Sequence, residues 1–194
     1  MRELKKRIGL SESAKSGAGF TLVELLVVVT MTVIISLVSV VNFRAAEKKK
    51  RVSLASDTVT SVARSTQTFA LAGKNTNNSN VACRVPQYYY ISFDTADKTH
   101  VTIKAQNTCG TGDLIETFTL PQNTQIRVNG ITLDGTLVNS TLLIYFTPPF
   151  GQITASKDGG SSASFTTANI IVESVDGSVS KTVTVDGVAG KIGE

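Results

Sequence analysis

From Phe20 to Val41 the chain reads FTLVELLVVVTMTVIISLVSVV, 22 residues with a single charge, Glu24. As a helix this stretch reaches roughly 33 Å, enough to cross the hydrocarbon core of a bilayer. Its hydroxyl residues, Thr30, Thr32, Ser36 and Ser39, are tolerable there because each can hydrogen-bond back to a helix carbonyl. No Pro or Gly occurs between Phe20 and Ala72, so nothing local stops a helix begun at Phe20 before Gly73.

The flanks leave more than one reading open. Arg2, Lys5, Lys6, Arg7 and Lys15 precede the apolar run, against Glu3 and Glu12. A basic start fits a secretory signal, but the run is long for one. No good small-x-small site follows, because Ala45 and Ala46 have Phe43 and Arg44 two residues upstream. A plain signal anchor also fits. Loop charge does not orient it, since Arg44, Lys48, Lys49, Lys50 and Arg51 follow the run as well. The formal net charge is +4. Most of that excess sits in residues 1–19, so the rest of the chain is close to neutral. That argues against nucleic acid, whose phosphates need clustered Lys or Arg.

The junction Gly19-Phe20-Thr21-Leu22-Val23-Glu24 resembles the class III signal of type IV prepilins and type II secretion pseudopilins. In that family a short basic leader ends in Gly, an aromatic residue starts the mature chain, and Glu stands five residues into it. The resemblance implies cleavage between Gly19 and Phe20 by a membrane aspartic peptidase on the cytoplasmic side, and N-methylation of Phe20. It also implies that Glu24 governs filament assembly by meeting the new α-amine of a neighbouring subunit. A simpler role for Glu24 is that of a carboxylate favoured by the dipole at a helix N-terminus. Two positions depart from the family pattern: Val41 stands where many major pilins have Pro, and Val33 where Gly is common. Both departures argue for a straighter helix and for a minor subunit.

Beyond the basic cluster, Val52, Ala55, Val59, Val62, Thr66 and Phe69 recur at alternating intervals of three and four, one stripe of a helix. Lys50, Ser53, Asp57, Arg64 and Ser65 fall largely elsewhere. One helix is expected over residues 20–72, with a membrane or assembly half (20–43) and an amphipathic half (44–72). Gly73 can end it, and residues 74–78 read as a loop. The cluster Lys48–Arg51 reads as a solvated or headgroup-contacting face.

The remainder, 73–194, reads as a β-rich head. Gln87–Asp94, Thr99–Ala105, Leu114–Leu120, Gln125–Val128, Ile131–Leu133, Thr141–Phe146, Ser164–Val175 and Ser178–Val185 carry strand signals. Thr141–Phe146, almost wholly apolar, is expected as a buried central strand. Asp176-Gly177 marks a hairpin. The fold class is α+β: a long N-terminal helix packed on an antiparallel sheet domain, the pilin-like roll that the resemblance also implies. A looser likeness joins Ile144–Gly151 and the closing Val185–Ile192 to H-type minor pseudopilins.

Cys83 and Cys109 are the only cysteines. The topology implied by the resemblance puts them where disulfides persist; two free thiols remain the alternative. His100, the one histidine, has no partner at metal-ligand spacing. No serine belongs to a His-centred relay, so neither a metal, a cofactor nor a catalytic set is expected. Tyr88-Tyr89-Tyr90 can form a binding surface or divide between core and solvent.

The expectation is therefore a non-enzymatic structural subunit of a pilus or pseudopilus. Its implied partners are a prepilin peptidase/methyltransferase, other subunits met through helix 20–72, an inner-membrane assembly platform, and lipid. It would first cross the inner membrane once, N-terminus cytoplasmic and head outside, and then enter a filament. Two alternatives remain: a tip-located module for DNA uptake, adhesion or secreted substrate, and an anchored envelope protein that never assembles.

Overall fold

The computed structural model describes residues 20–76, 83–110, 112–149 and 152–193, without the side chains of Val38, Val40 and Val41. The basic leader, 1–19, lies outside the described residues. By its contacts the chain divides between Phe43 and Arg44 into two units.

One helix, α1 (Leu22–Ala72), contributes to both units. It begins two residues later than the apolar pattern alone suggests because Thr21 caps it. The Glu24 amide donates to Thr21 Oγ1 at 3.2 Å, and the Leu25 amide to the Thr21 carbonyl. This satisfies amides that have no helical partner. At the other end Gly73 adopts φ +60°, and the Lys74 amide returns to the Phe69 carbonyl. That is a Schellman ending, in which glycine takes the left-handed position without a Cβ clash.

In the first unit every described side chain from Phe20 to Phe43 is exposed. Thr30 and Thr32 donate to the carbonyls of Val27 and Val29 at 2.8 and 2.9 Å. Ser36 and Ser39 donate to those of Thr32 and Ile35 at 2.7 and 2.9 Å. The hydroxyls are thus satisfied within the helix, as an apolar surrounding requires. The helix is long and apolar enough to cross a membrane.

In the second unit α1 buries one side. Val52, Ala55, Val59, Val62 and Thr66 are at most 1% exposed, and Phe69 packs against the same core. Facing them are two five-stranded antiparallel sheets. The strands are β1 (Pro86–Asp94), β2 (His100–Asn107), β3 (Gly112–Thr119), β4 (Thr124–Leu133), β5 (Thr136–Leu137), β6 (Thr141–Thr147), β7 (Gln152–Lys157), β8 (Thr167–Ser174), β9 (Ser180–Asp186) and β10 (Ile192–Gly193). The first sheet runs β3-β2-β1-β6-β7 and the second β10-β9-β8-β4-β5.

The α+β class is as expected, but the head holds two sheets, not one. A single helix stripe covers only a narrow strip of sheet, so the inward faces of many strands must also cover each other. Tyr89, Ile91 and Phe93 of β1, Ile103 of β2 and Ile144 of β6 share one cluster with Ile126, Ile170 and Val183 of the second sheet and Val59 of α1. The two strands expected on either side of Asn129-Gly130 are one strand, β4. Its pairing with β8 jumps between Ile126 and Ile131, and Asn129 sits at φ +56°. The break seen in the sequence is thus a bulge.

β6 is interior to its sheet, between β1 and β7, yet buried on one face only. Leu142, Ile144 and Phe146 are fully covered, while Leu143 and Tyr145 are half-buried. β8 starts at Thr167, not Ser164, because Ala163 forms a bridge with Ala155 of β7 and Phe165 plugs the core. The Asp176-Gly177 turn joins β8 and β9 as a hairpin, with Gly177 at φ +69°.

Candidate functional site

The residues singled out at the helix head occupy its first turn. Phe20 is 78% exposed and precedes the cap. Glu24, also exposed, is the acidic residue of that first turn. Gly19 lies outside the described residues. Thr21, which motif reading passed over, is the residue that caps the helix. The spacing Thr21-x-x-Glu24 is a capping-box pattern readable from the chain itself. Glu24 therefore has a local duty as well as its charge: its amide is held by Thr21, and its carboxylate meets the positive end of the helix dipole. Around and below it, Leu22, Val23, Leu25, Leu26, Met31, Ile34, Ile35 and Leu37 are each more than half exposed. An apolar surface of this extent on all sides of a helix calls for lipid or other helices.

In the basic cluster after the apolar run Lys48, Lys49 and Lys50 are exposed, in keeping with the solvated or headgroup-contacting face expected, but two of its members also have partners. Lys48 forms an ion pair with Asp176 at the β8–β9 turn. Arg51 pairs with Glu47 one turn back and donates to the Gln122 carbonyl at 3.3 Å. The reason is the course of α1, which brings this turn of helix against loops 121–124 and 174–179. Lys48 and Arg51 thereby tie helix to head, while Lys49 and Lys50 remain exposed. The Lys48 ammonium, followed by the hydroxyls of Ser174 and Ser178, holds the Asp176 carboxyl well below the usual carboxylate range. Higher on the helix Arg64 donates to the Ile192 carbonyl at 3.0 Å and Lys181 to Ser53 Oγ at 3.3 Å.

Cys83 and Cys109 are joined, with Cα atoms 5.7 Å apart. The bond links the segment after α1 to the β2–β3 turn. That segment is also fixed by Thr76, whose amide donates to the Arg84 carbonyl at 2.9 Å. The turn is held by buried Asn107, which accepts from the Cys109 amide at 3.0 Å and donates to Asp113 at 3.1 Å.

The three consecutive tyrosines divide between the faces of β1. Tyr89 is fully buried, contacts Phe69 and donates to the Lys74 carbonyl. Burial pushes its phenol up to about 12. Tyr88 and Tyr90 turn outward and meet Tyr145 of β6. His100 lies within 2.9 Å of Asp97 Oδ1 at the start of β2, and this contact is the main cause of the lowered Asp97 pKa.

Comparison of the chain with family models, with curated proteins and with solved structures gave no match.

Proposed function

We propose that the chain is a non-enzymatic structural subunit, of minor rank, of a type IV pilus or type II secretion pseudopilus. The observation that carries the reading is one of register. A basic leader ends in Gly19, Phe20 follows, and Glu24 stands alone at the head of an apolar run. Support comes from the exposed apolar surface of α1 between Leu22 and Leu37, which needs a surrounding of lipid or helices. The Cys83–Cys109 bond fits a head held in an oxidising compartment.

On this reading a peptidase removes residues 1–19 on the cytoplasmic side and the new Phe20 amine is methylated. The helix first stores the subunit in the membrane and then lines the filament interior through contacts along 20–72, with the head outside. Glu24 neutralises the amine of a neighbouring subunit. An unpartnered ionised carboxylate costs about 2.5–3.5 kcal/mol at the centre of a membrane helix on insertion scales, and less near its end.

The test is the mass and N-terminal sequence of the protein isolated from membranes of the cell that makes it. A chain beginning at N-methylated Phe20 is expected. Retention of the leader, or a cut beyond Val41, would overturn the proposal.

A further inference from the structure

The outward face of the β3-β2-β1-β6-β7 sheet carries a cluster of three tyrosines. Tyr145 lies between two other tyrosines. Its ring centre is 5.6 Å from that of Tyr88, nearly edge-on, and 5.3 Å from that of Tyr90. The cause is register. Tyr90 pairs with Tyr145 across β1 and β6, and Tyr88 sits one step along the same face. Beside the rings is a recess of about 290 Å³ lined by Tyr88, Gln106, Tyr145, Thr147, Thr154 and Ser162. Thr154 stands opposite Tyr145 on β7. Ser162 reaches the wall because neighbouring Ala163 exchanges two backbone hydrogen bonds of 2.9 Å with Ala155.

The lining is chemically selective. It offers aromatic rings, aliphatic hydroxyls and one carboxamide, and none of the six side chains is charged at neutral pH. The nearest cation by register, Lys104, pairs with Tyr90 outside the recess. Burial raises the Tyr90 and Tyr145 phenols, so they remain neutral donors. A carboxylate or phosphate ligand would find no counter-charge here, and a purely apolar one would strand the hydroxyls and the amide. A pyranose matches both halves: its C–H face stacks on an aromatic ring and its hydroxyls exchange hydrogen bonds with Thr, Ser and Gln. The volume lies near the lower end of small-molecule sites, roughly 300 Å³, which suits a sugar unit better than a folded partner.

We propose that this recess, built on Tyr88 and Tyr145 and walled by Gln106, Thr154 and Ser162, binds a neutral glycan. The proposal rests on the head alone and stands or falls independently of the filament reading.

The chain has no Trp and four tyrosines, and two of the four line the recess, so tyrosine emission reads occupancy directly. The full chain in dodecylphosphocholine micelles, a detergent without sugar, is titrated with maltotriose, cellotriose and chitotriose. Sialyllactose and a proline-rich peptide serve as comparison ligands. Saturable change with at least one neutral trisaccharide is expected. Tyr145→Ala should weaken it about tenfold or more, the usual effect of deleting an aromatic anchor. Ser162→Arg, at an exposed position where the fold is not at stake, should abolish it by filling the recess. No saturation with any of the three neutral sugars overturns the proposal. So does binding that survives Ser162→Arg, or a response confined to sialyllactose or the peptide.

Discussion

Opening the Cys83–Cys109 bond tests how the head is held together. The cysteines are 26 positions apart, and the ring they close contains β1 and β2 entire, whose inward residues Tyr89, Ile91, Phe93, Val101 and Ile103 are at most 1% exposed. Closing a ring of about 27 residues removes enough freedom from the unfolded chain to stabilise the fold by about 3.5 kcal/mol in the chain-entropy account. For a unit spanning Arg44–Glu194, unfolding entropy near the midpoint is about 0.3 kcal/mol per kelvin. The double variant Cys83→Ala/Cys109→Ala should therefore melt about 10 °C lower. Near-UV circular dichroism of the tyrosines is the readout, because α1 in a micelle would dominate the far-UV signal. Because the effect acts through the unfolded chain, denaturant sensitivity should rise as that chain expands. A drop of less than about 3 °C, with the tyrosine signal native at the start, would refute this account. An unchanged denaturant slope would refute its entropic basis.

Three further outcomes are expected. Glu24→Gln keeps a capping-box residue but removes the charge; on the proposed function it should be cleaved normally yet reduce sheared filament by about tenfold or more, the scale on which a buried charge left unpartnered acts, and wild-type filament yield would dismiss the pairing role. Thr60 Oγ1 is buried without a hydrogen-bond partner among the described residues, so Thr60→Val should stabilise the head by about 1 kcal/mol and raise its midpoint by about 3 °C, whereas a lowered midpoint would contradict the assignment. The Asp176 carboxyl, lowered chiefly by Lys48, stabilises the fold fully above its unfolded value of 3.8 and loses that contribution as pH falls below it; Asp176→Asn should lower the neutral-pH midpoint and flatten the acid limb, and superimposable limbs would count against the Lys48 contact.

The helix was legible because its signals are local. The absence of Pro and Gly, the three-and-four spacing of Val52 to Phe69, and the stop at Gly73 are all properties of neighbouring residues. The head was legible strand by strand for a similar reason, since alternation along Gln87–Asp94 names a buried face, whereas the unbroken apolar run Thr141–Phe146 marks a strand without showing that only one of its faces is buried. What alternation cannot name is the partner strand. β1 pairs with β6 across roughly fifty residues, while β4, between them in the chain, leaves for the other sheet. The short strands β5 and β10, two residues each, offer no period to detect. β7, reading Gln-Ile-Thr-Ala-Ser-Lys, is too rich in small and polar residues to stand out. The same limit hid the ion pair between Lys48 and Asp176, 128 positions apart, and the outward meeting of Tyr88, Tyr90 and Tyr145. Both depend on which loops and strands become neighbours.

The proposed function also bears on where discrimination resides in such a helix. A side chain such as Leu26 or Ile34 finds lipid tails and the flanks of neighbouring helices about equally apolar, so moving it from one to the other changes little free energy. Continuous backbone bonding from Leu22 to Ala72 leaves no weak turn to be spent in the transfer either. The groups that can tell membrane from filament are then the polar ones at the head. Thr21 is already satisfied by the Glu24 amide, and the four hydroxyls lower down are satisfied by their own carbonyls. Glu24 is the only charged side chain from Phe20 to Phe43, and on the proposed function the new Phe20 amine is the one other charge at the head. The Glu24 carboxylate gains most from a place where an amine is desolvated beside it, because a paired charge there escapes the penalty an isolated one bears. On that argument the carboxylate and the amine at the head together set the preference for assembly, and the apolar residues around them set only the solubility of the helix in either surrounding.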